Sequence, residues 1–206
     1  MIKNIIFDFG AVLIPLDEHK TWESFRKLGA LDSLKDQKKL FHKYETGGIE
    51  TADFLKKLQP HFFRKKIFPG DLAKAWNAML YTALPGEIID SLKKWKRDYR
   101  LFLLSNTNDL HISEIKSVAG PYDYGMFVQQ FEKVYYSYEI GKRKPSPDIF
   151  KMVLEDNDLE AEETFYVDDG KKNTSTAKKL GIHTWHFDPL EDSIHDLDKV
   201  LSAHHS

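Results

Sequence analysis

Residues 5–13 of this chain read IIFDFGAVL, and they predict its class of fold. The first three of them form an apolar run that is too short for a helix, and Asp8 ends the run abruptly. A run of this kind is typical of a strand that is buried on both faces of a parallel sheet. We therefore expect the carboxylate of Asp8 to lie at the end of a buried strand.

Further short apolar runs follow, and helical patterns separate most of them. The runs cover residues 101–104, 134–136, 164–167 and 183–187. Apolar residues recur at helical spacing ahead of the second run, at Ile88, Leu92 and Trp95. Strands that alternate with helices indicate crossover connections and a parallel sheet. The sequence therefore predicts an α/β fold.

The interval between the first two runs is the exception, because its apolar residues recur at helical spacing and form no further strand-like run. Thr51 and Asp71 are the expected N-caps of two of its helices. We expect residues 16–84 to form a helical subdomain inserted directly after the first strand. Residues 1–15 and 85–206 then form the main domain.

Composition narrows the classes of function. The chain has 206 residues, of which 41% are hydrophobic and 30% charged, as in an ordinary globular protein. Its net charge of -2 is too balanced for binding to nucleic acid or to an anionic membrane, so neither partner is expected. No apolar run approaches the length of a membrane-spanning helix. The absence of cysteine excludes thiolate chemistry and disulfides, and we expect a cytoplasmic location.

Polar side chains follow the predicted strands at the points where the strands end. They are Asp8, Ser105, Asn106, Lys144, Asp168 and Asp169. Each alone is typical of a turn, a helix cap or a solvated loop. Ligands of a parallel sheet bind beyond the carboxyl ends of its strands, where these residues would meet. Three carboxylates placed together repel one another, and Mg²⁺ with its preference for oxygen ligands is the simplest relief.

Four motifs of the chain resemble, in order and spacing, those of the haloacid dehalogenase-like hydrolase superfamily. They are IIFDFGAVL at residues 5–13, LLSNT at 103–107, KPSPDIF at 144–150 and FYVDDG at 165–170. The resemblance covers nearly the whole chain. It implies a Rossmann-like sheet flanked by helices, with the helical insert as a cap over the site. Within the superfamily, the chain is similar to capped sugar-phosphate phosphatases and to the N-terminal phosphatase domain of epoxide hydrolases.

The resemblance implies a Mg²⁺-dependent phosphatase for a small phosphorylated metabolite such as a sugar phosphate. Asp8 is then the nucleophile that forms an aspartyl-phosphate, and Ser105 and Lys144 are the other implied catalytic residues. The residues implied to bind the phosphoryl group are Gly10, Ser105, Asn106 and Lys144. The implied magnesium ligands are Asp8, the backbone carbonyl of Gly10, Asp168 and Asp169.

Gly10 departs from the pattern of the family. Most phosphatases of the family carry a second Asp at this position as general acid and base, a role worth about 10²- to 10⁴-fold in rate. Either the substrate has a good leaving group, or another acid takes over, for which residues 17–19, Asp-Glu-His, are candidates. We expect Gly10→Asp to raise the turnover of poor leaving groups. In the insert, Tyr44 and Glu45 are expected to face the substrate.

Other functions remain open at this point. A dehalogenase-type hydrolase would use the same nucleophile without a metal. A catalytically silent protein that binds a phosphorylated ligand or has a regulatory role would explain Gly10. A phospho-accepting receiver domain shares the strand-end Asp, but it carries its acidic pair near the first strand and lacks the long insert. The sequence predicts no oligomeric state.

Overall fold

The computed structural model describes residues 1–63, 66–80 and 84–204, without the side chain of His204. In this part of the chain, parallel strands form a five-stranded sheet in the order β3-β2-β1-β4-β5. The strands are β1 (Asn4–Phe7), β2 (Arg100–Ser105), β3 (Lys133–Tyr136), β4 (Thr164–Asp168) and β5 (His183–His186). The central strand β1 is buried along its whole length, as its apolar run predicts.

The helices of the described residues pack on the two faces of the sheet or form the segment inserted after β1. They are α1 (Glu18–Lys27), α2 (Lys38–Glu45), α3 (Thr51–Leu58), α4 (Pro69–Trp76), α5 (Gly86–Trp95), α6 (Asp109–Val128), α7 (Ser137–Ile140), α8 (Pro147–Asp156), α9 (Lys171–Lys179) and α10 (Leu197–His204). Successive residues of a strand point to opposite faces, so Phe7 joins the core under α5, α6 and α10, whereas Ile6 joins the core under α8 and α9. The predicted fold class is confirmed.

Helices α1–α4, which we call the inserted helices, lie between β1 and α5 in the chain. They bury a separate aromatic core that includes Phe25, Phe54 and Trp76. The division of the chain into residues 16–84 and the remainder stays a prediction. No helix in the described residues is both long and apolar enough to cross a membrane.

Both predicted N-caps in this segment were wrong by one to three residues. Helix α3 begins at Thr51 itself, and the Thr51 hydroxyl bonds to Tyr44 and Asp109 rather than to its own helix. Helix α4 begins at Pro69, which places Asp71 inside the first turn. Proline suits the first helical position because its φ is already helical and it has no N–H to satisfy.

Candidate active site

The parallel register brings the ends of three strands together. Phe7 of β1 pairs with Leu103 of β2 and with Val167 of β4. Asp8 is therefore flanked by the C-terminal ends of both neighbouring strands, and its backbone N–H donates to Val167, 2.9 Å away. Two of the predicted site residues, Ser105 and Asp168, are the last residues of these strands.

Lys144 reaches into this edge of the sheet from the loop before α8. Its ammonium Nζ lies 2.8 Å from Oδ1 of Asp8 and 2.6 Å from Oδ2 of Asp168. The Lys144 side chain is only 1% exposed, so its charge depends on these two carboxylates. The predicted nucleophile, the predicted lysine and one acidic residue thus form a single buried cluster.

Asp168 is held by hydrogen bonds at both of its carboxylate oxygens. Oδ2 accepts from Lys144 and from the Tyr166 hydroxyl. Oδ1 accepts from the backbone N–H of Gly170 at 2.6 Å and from the Asn173 amide at 2.8 Å. These four hydrogen bonds fix the orientation of the Asp168 carboxylate. Tyr166 was not recognised from the sequence, because a tyrosine within a buried strand looks like an ordinary core residue.

Burial and charge act in opposite directions on the pKa values of this cluster. Burial raises the pKa of the Asp8 carboxyl to about 8, although Lys144 counteracts it. Burial also acts to raise the pKa of Asp168, but Lys144 outweighs this effect and holds the pKa below its ordinary value. For Lys144 itself, burial favours the neutral amine, yet the two carboxylates together raise its pKa.

The acidic residues fit a divalent cation. Oxygen atoms of Asp8, Asp168 and Asp169 lie within 4.8 Å of one another. Burial raises the pKa of Asp169, and the neighbouring Asp168 charge adds to this effect. Hard carboxylate oxygens at this spacing are the donor set that Mg²⁺ prefers. Gly10, predicted to supply a carbonyl ligand, lines the same cavity as Asp8 and Asp169.

A cavity of about 430 Å³ opens over these residues. Besides the strand-end residues, its wall includes Glu18, Glu45, His111 and Arg143. A smaller recess of about 150 Å³ continues under the inserted helices and shares Glu18, Glu45 and His111 with it. A larger cavity of about 810 Å³ lies between α1, α4 and α6, and none of the predicted site residues lines it. The chemistry is therefore placed in the 430 Å³ cavity.

The side chain of Asn106 has a clear partner within the protein. Its carbonyl oxygen accepts from the backbone N–H of Lys144 at 2.8 Å, and its amide donates to the backbone carbonyl of Lys144 at 3.0 Å. Asn106 therefore fixes the loop that carries Lys144. Its predicted contact with a phosphoryl group stays a prediction, as do the roles of the other site residues.

The inserted helices close one side of the cavity. Glu45 at the end of α2 lies 3.0 Å from the guanidinium of Arg143. Tyr44 does not face the cavity as expected, because its ring stacks on Phe54 with centroids 4.0 Å apart. Among the candidate acids of residues 17–19, Asp17 caps α1 and Glu18 lines the cavity.

Residues 5–187 match the family model of the haloacid dehalogenase-like hydrolases. The chain belongs to this family. It is 30% identical over 213 residues to a D-ribitol-5-phosphate phosphatase of Bacteroides thetaiotaomicron, an alignment that covers 98% of this chain and 100% of the relative. The predicted family resemblance is confirmed.

Solved structures of haloacid dehalogenase family enzymes share the fold. A magnesium complex from Bacteroides thetaiotaomicron is 36% identical, with a TM-score of 0.86, over 95% of this chain and 98% of that chain. A wild-type complex with magnesium and inorganic phosphate from the same bacterium is 35% identical, with a TM-score of 0.84 and the same coverage. A relative of this hydrolase, seen in both structures, therefore binds the metal that the acidic cluster of this chain fits.

Proposed function

We propose that this hydrolase is a Mg²⁺-dependent phosphatase that acts on a small phosphorylated metabolite, with a sugar or alditol phosphate as the substrate class. The observation that carries the proposal is the placement of Asp8 against Lys144 and beside Asp168 and Asp169 at the edge of a cavity that Asp8, Lys144 and Asp169 line. The similarity to a D-ribitol-5-phosphate phosphatase supports the substrate class.

Asp8 is the nucleophile in this proposal. Its carboxylate attacks phosphorus, the bond to the leaving oxygen breaks, and an aspartyl-phosphate forms that water then hydrolyses. Ser105 donates a hydrogen bond to the phosphoryl group. Lys144 offsets the negative charge of Asp8 and of the incoming phosphate. Such fixed charges and donors are the main source of catalysis in phosphoryl transfer.

Asp8, the Gly10 carbonyl, Asp168 and Asp169 are the residues that would hold Mg²⁺. The cation would neutralise charge on the phosphoryl oxygens. Oδ2 of Asp168 accepts from Lys144 and Tyr166, and its Oδ1 accepts from Gly170 and Asn173. Asp168 would hold the ion either directly or through a bound water. In the same proposal, residues 16–84 act as a cap over the cavity, and the enzyme works in the cytoplasm.

Phosphate release tests this function directly. The assay compares sugar phosphates, alditol phosphates including D-ribitol 5-phosphate, nucleotides, acyl phosphates and an aryl phosphate, each with Mg²⁺ and with EDTA. Asp8→Asn is the matched inactive variant, and Asp53→Asn, an exposed carboxylate of α3, is the control. We expect turnover that EDTA and Asp8→Asn both abolish and that Asp53→Asn leaves unchanged.

Two other results would redirect the assignment. Metal-independent release of halide from a haloacid would identify dehalogenase chemistry at Asp8. A folded protein that binds Mg²⁺ and releases no phosphate from any compound would identify a protein that binds a phosphorylated ligand without catalysis.

A further inference from the structure

The cavity lacks the acid that phosphatases of this family usually place two residues after the nucleophile. At Gly10 the chain has no side chain, and the side chain of Leu16 takes up the adjacent space. A Cβ atom built on Gly10 would lie 2.4 Å from Cδ1 of Leu16. The leaving oxygen of an alkyl phosphate still needs a proton, so a donor must come from another part of the cavity wall.

Glu45 is a carboxyl of this wall that lies outside the metal cluster. It stands at the end of α2, lines both the main cavity and the recess beneath the inserted helices, and is 22% exposed. Arg143, its ion-pair partner, precedes Lys144 in the chain, and Glu45, Arg143, Lys144 and Asp8 all line the same cavity. The pair is therefore part of the wall of the cavity that contains Asp8.

Hydrogen bonding of the pair is incomplete. The Arg143 guanidinium lies 3.0 Å from Oε2 of Glu45 without hydrogen-bond geometry. In the described part of the chain, neither Oε2 of Glu45 nor Nε of Arg143 has a hydrogen-bond partner, although both atoms are buried. Buried polar atoms are normally satisfied, so this pair has capacity left for polar atoms of a bound molecule.

Other titratable side chains of the described cavity wall are less suited to give up a proton. Glu18 is exposed to solvent. Burial lowers the pKa of His111 to about 4, so its ring is neutral near pH 7. Asp8 and Asp169 belong to the metal cluster, and Lys144 is held between two carboxylates.

We propose that Glu45 is a catalytic residue, the general acid and base that replaces the carboxyl missing at Gly10. This inference rests on the proposed phosphatase function. In the first step, Asp8 bonds to phosphorus, the bond from phosphorus to the leaving oxygen breaks, and that oxygen takes the proton of the Glu45 carboxyl. In the second step, water attacks the aspartyl-phosphate, its proton passes to the Glu45 carboxylate, and the bond from phosphorus to Asp8 breaks.

The electrostatic setting of Glu45 favours this role. Burial raises its pKa, the Arg143 charge opposes that change, and the Glu18 charge adds to it, with a raised pKa as the net result. A carboxyl whose pKa is raised keeps its proton to higher pH and serves better as an acid near neutrality.

Leaving-group dependence tests the proposal. The enzyme and its Glu45→Gln variant are compared by kcat/KM on D-ribitol 5-phosphate, whose alkoxide needs a proton, and on p-nitrophenyl phosphate, whose phenolate does not. We expect Glu45→Gln to lower kcat/KM on the alkyl phosphate about 10²- to 10⁴-fold. On the aryl phosphate we expect a change of less than about threefold, because kcat/KM reports only the steps up to leaving-group departure.

Controls separate acid catalysis from positioning. Glu50→Gln changes an exposed carboxyl near the same helices and is expected to leave both values unchanged. Glu45→Asp retains a carboxyl and is expected to recover at least tenfold of the loss on the alkyl phosphate. With the alkyl phosphate, kcat/KM of the wild type should fall as pH rises through the pKa of Glu45, and Glu45→Gln should lack that decline.

Equal losses on both substrates in Glu45→Gln would overturn the proposal and leave Glu45 as a residue that only positions the inserted helices. No loss on either substrate would also overturn it. If the wild type hydrolyses neither compound while it binds Mg²⁺, the proposed phosphatase function fails first, and the role of Glu45 fails with it.

Discussion

The Nζ atom of Lys144 lies 2.8 Å from Oδ1 of Asp8, and both side chains are largely buried. The same ammonium lies 2.6 Å from Asp168, so one cation neutralises part of two buried carboxylates. Removing one partner of a buried ion pair leaves the remaining charge uncompensated in a medium that solvates it poorly. The lysine therefore supports both the fold and the proposed chemistry.

Lys144→Met is expected to lower the free energy of unfolding by about 3–5 kcal/mol, because two buried carboxylates lose their counter-charge. Urea denaturation in EDTA measures this change. The matched control is Lys93→Met, which breaks an exposed pair with Asp90 on α5 and is expected to cost less than about 1 kcal/mol. Equal losses in the two variants would show that the charge of Lys144 does not stabilise the buried carboxylates of Asp8 and Asp168.

Magnesium is expected to stabilise the folded protein, because the cluster of Asp8, Asp168 and Asp169 exists only in the folded state. At a concentration 100 times its Kd, a ligand of the native state adds about 2.7 kcal/mol. Asp169→Asn is expected to lose most of the Mg²⁺-dependent rise in Tm, whereas Asp53→Asn keeps it. A rise of wild-type size in Asp169→Asn would exclude Asp169 as a ligand.

Strand-end residues could be predicted from the sequence because their spacing follows from the geometry of a parallel sheet. Asp8, Ser105 and Asp168 each follow an apolar run, and the register of the strands then brings them together. Such contacts depend on backbone topology, which short apolar runs and helical periods specify well.

Contacts between side chains of distant segments could not be predicted in this way. The pair of Glu45 and Arg143 depends on how the inserted helices pack over the sheet, and the sequence contains no period that sets this packing. From the sequence, Tyr44 was expected to face the substrate. Its ring instead joins the aromatic core of the inserted helices, where burial of a large ring is favourable.

His111 is expected to make the protein less stable at mildly acidic pH. Burial lowers its pKa to about 4 in the folded protein, whereas an unfolded histidine has a pKa of about 6.5. Between these values the unfolded chain binds the proton more readily than the folded protein does. His111 therefore does not lower the free energy of unfolding above about pH 6.5, and it lowers it progressively as pH falls toward 4. His111→Gln is expected to lose less stability than the wild type between pH 7 and pH 5, measured by urea denaturation.

The control for that measurement is His19→Gln, an exposed histidine of α1. It is expected to show the same decline as the wild type. A decline of wild-type size in His111→Gln would mean that other groups cause the acid sensitivity. Nδ1 of His111 accepts from the Asn108 amide, and Nε2 donates to the Trp76 carbonyl. Loss of these contacts lowers stability at both pH values and cancels in the comparison.

Restoring a carboxyl at position 10 requires space that Leu16 now occupies. The far end of the Leu16 side chain would meet the new Cβ at 2.4 Å, so Gly10→Asp alone forces this leucine to move. Gly10→Asp combined with Leu16→Ala removes the clash, and Leu16→Ala alone is the control. This pair of substitutions is therefore a sharper test of the missing acid than the single change.

The change in kcat/KM that Gly10→Asp causes is expected to depend on whether Glu45 is present. If Glu45 supplies the proton, the added Asp is redundant in the wild type, in contrast to the gain expected from the sequence alone, and changes kcat/KM on an alkyl phosphate by less than about threefold. In Glu45→Gln, the same added Asp is expected to restore at least tenfold, since either carboxyl then serves the leaving oxygen. A large gain in the wild type would instead mean that no side chain supplies this proton, and that the natural substrate has a leaving group that departs unaided.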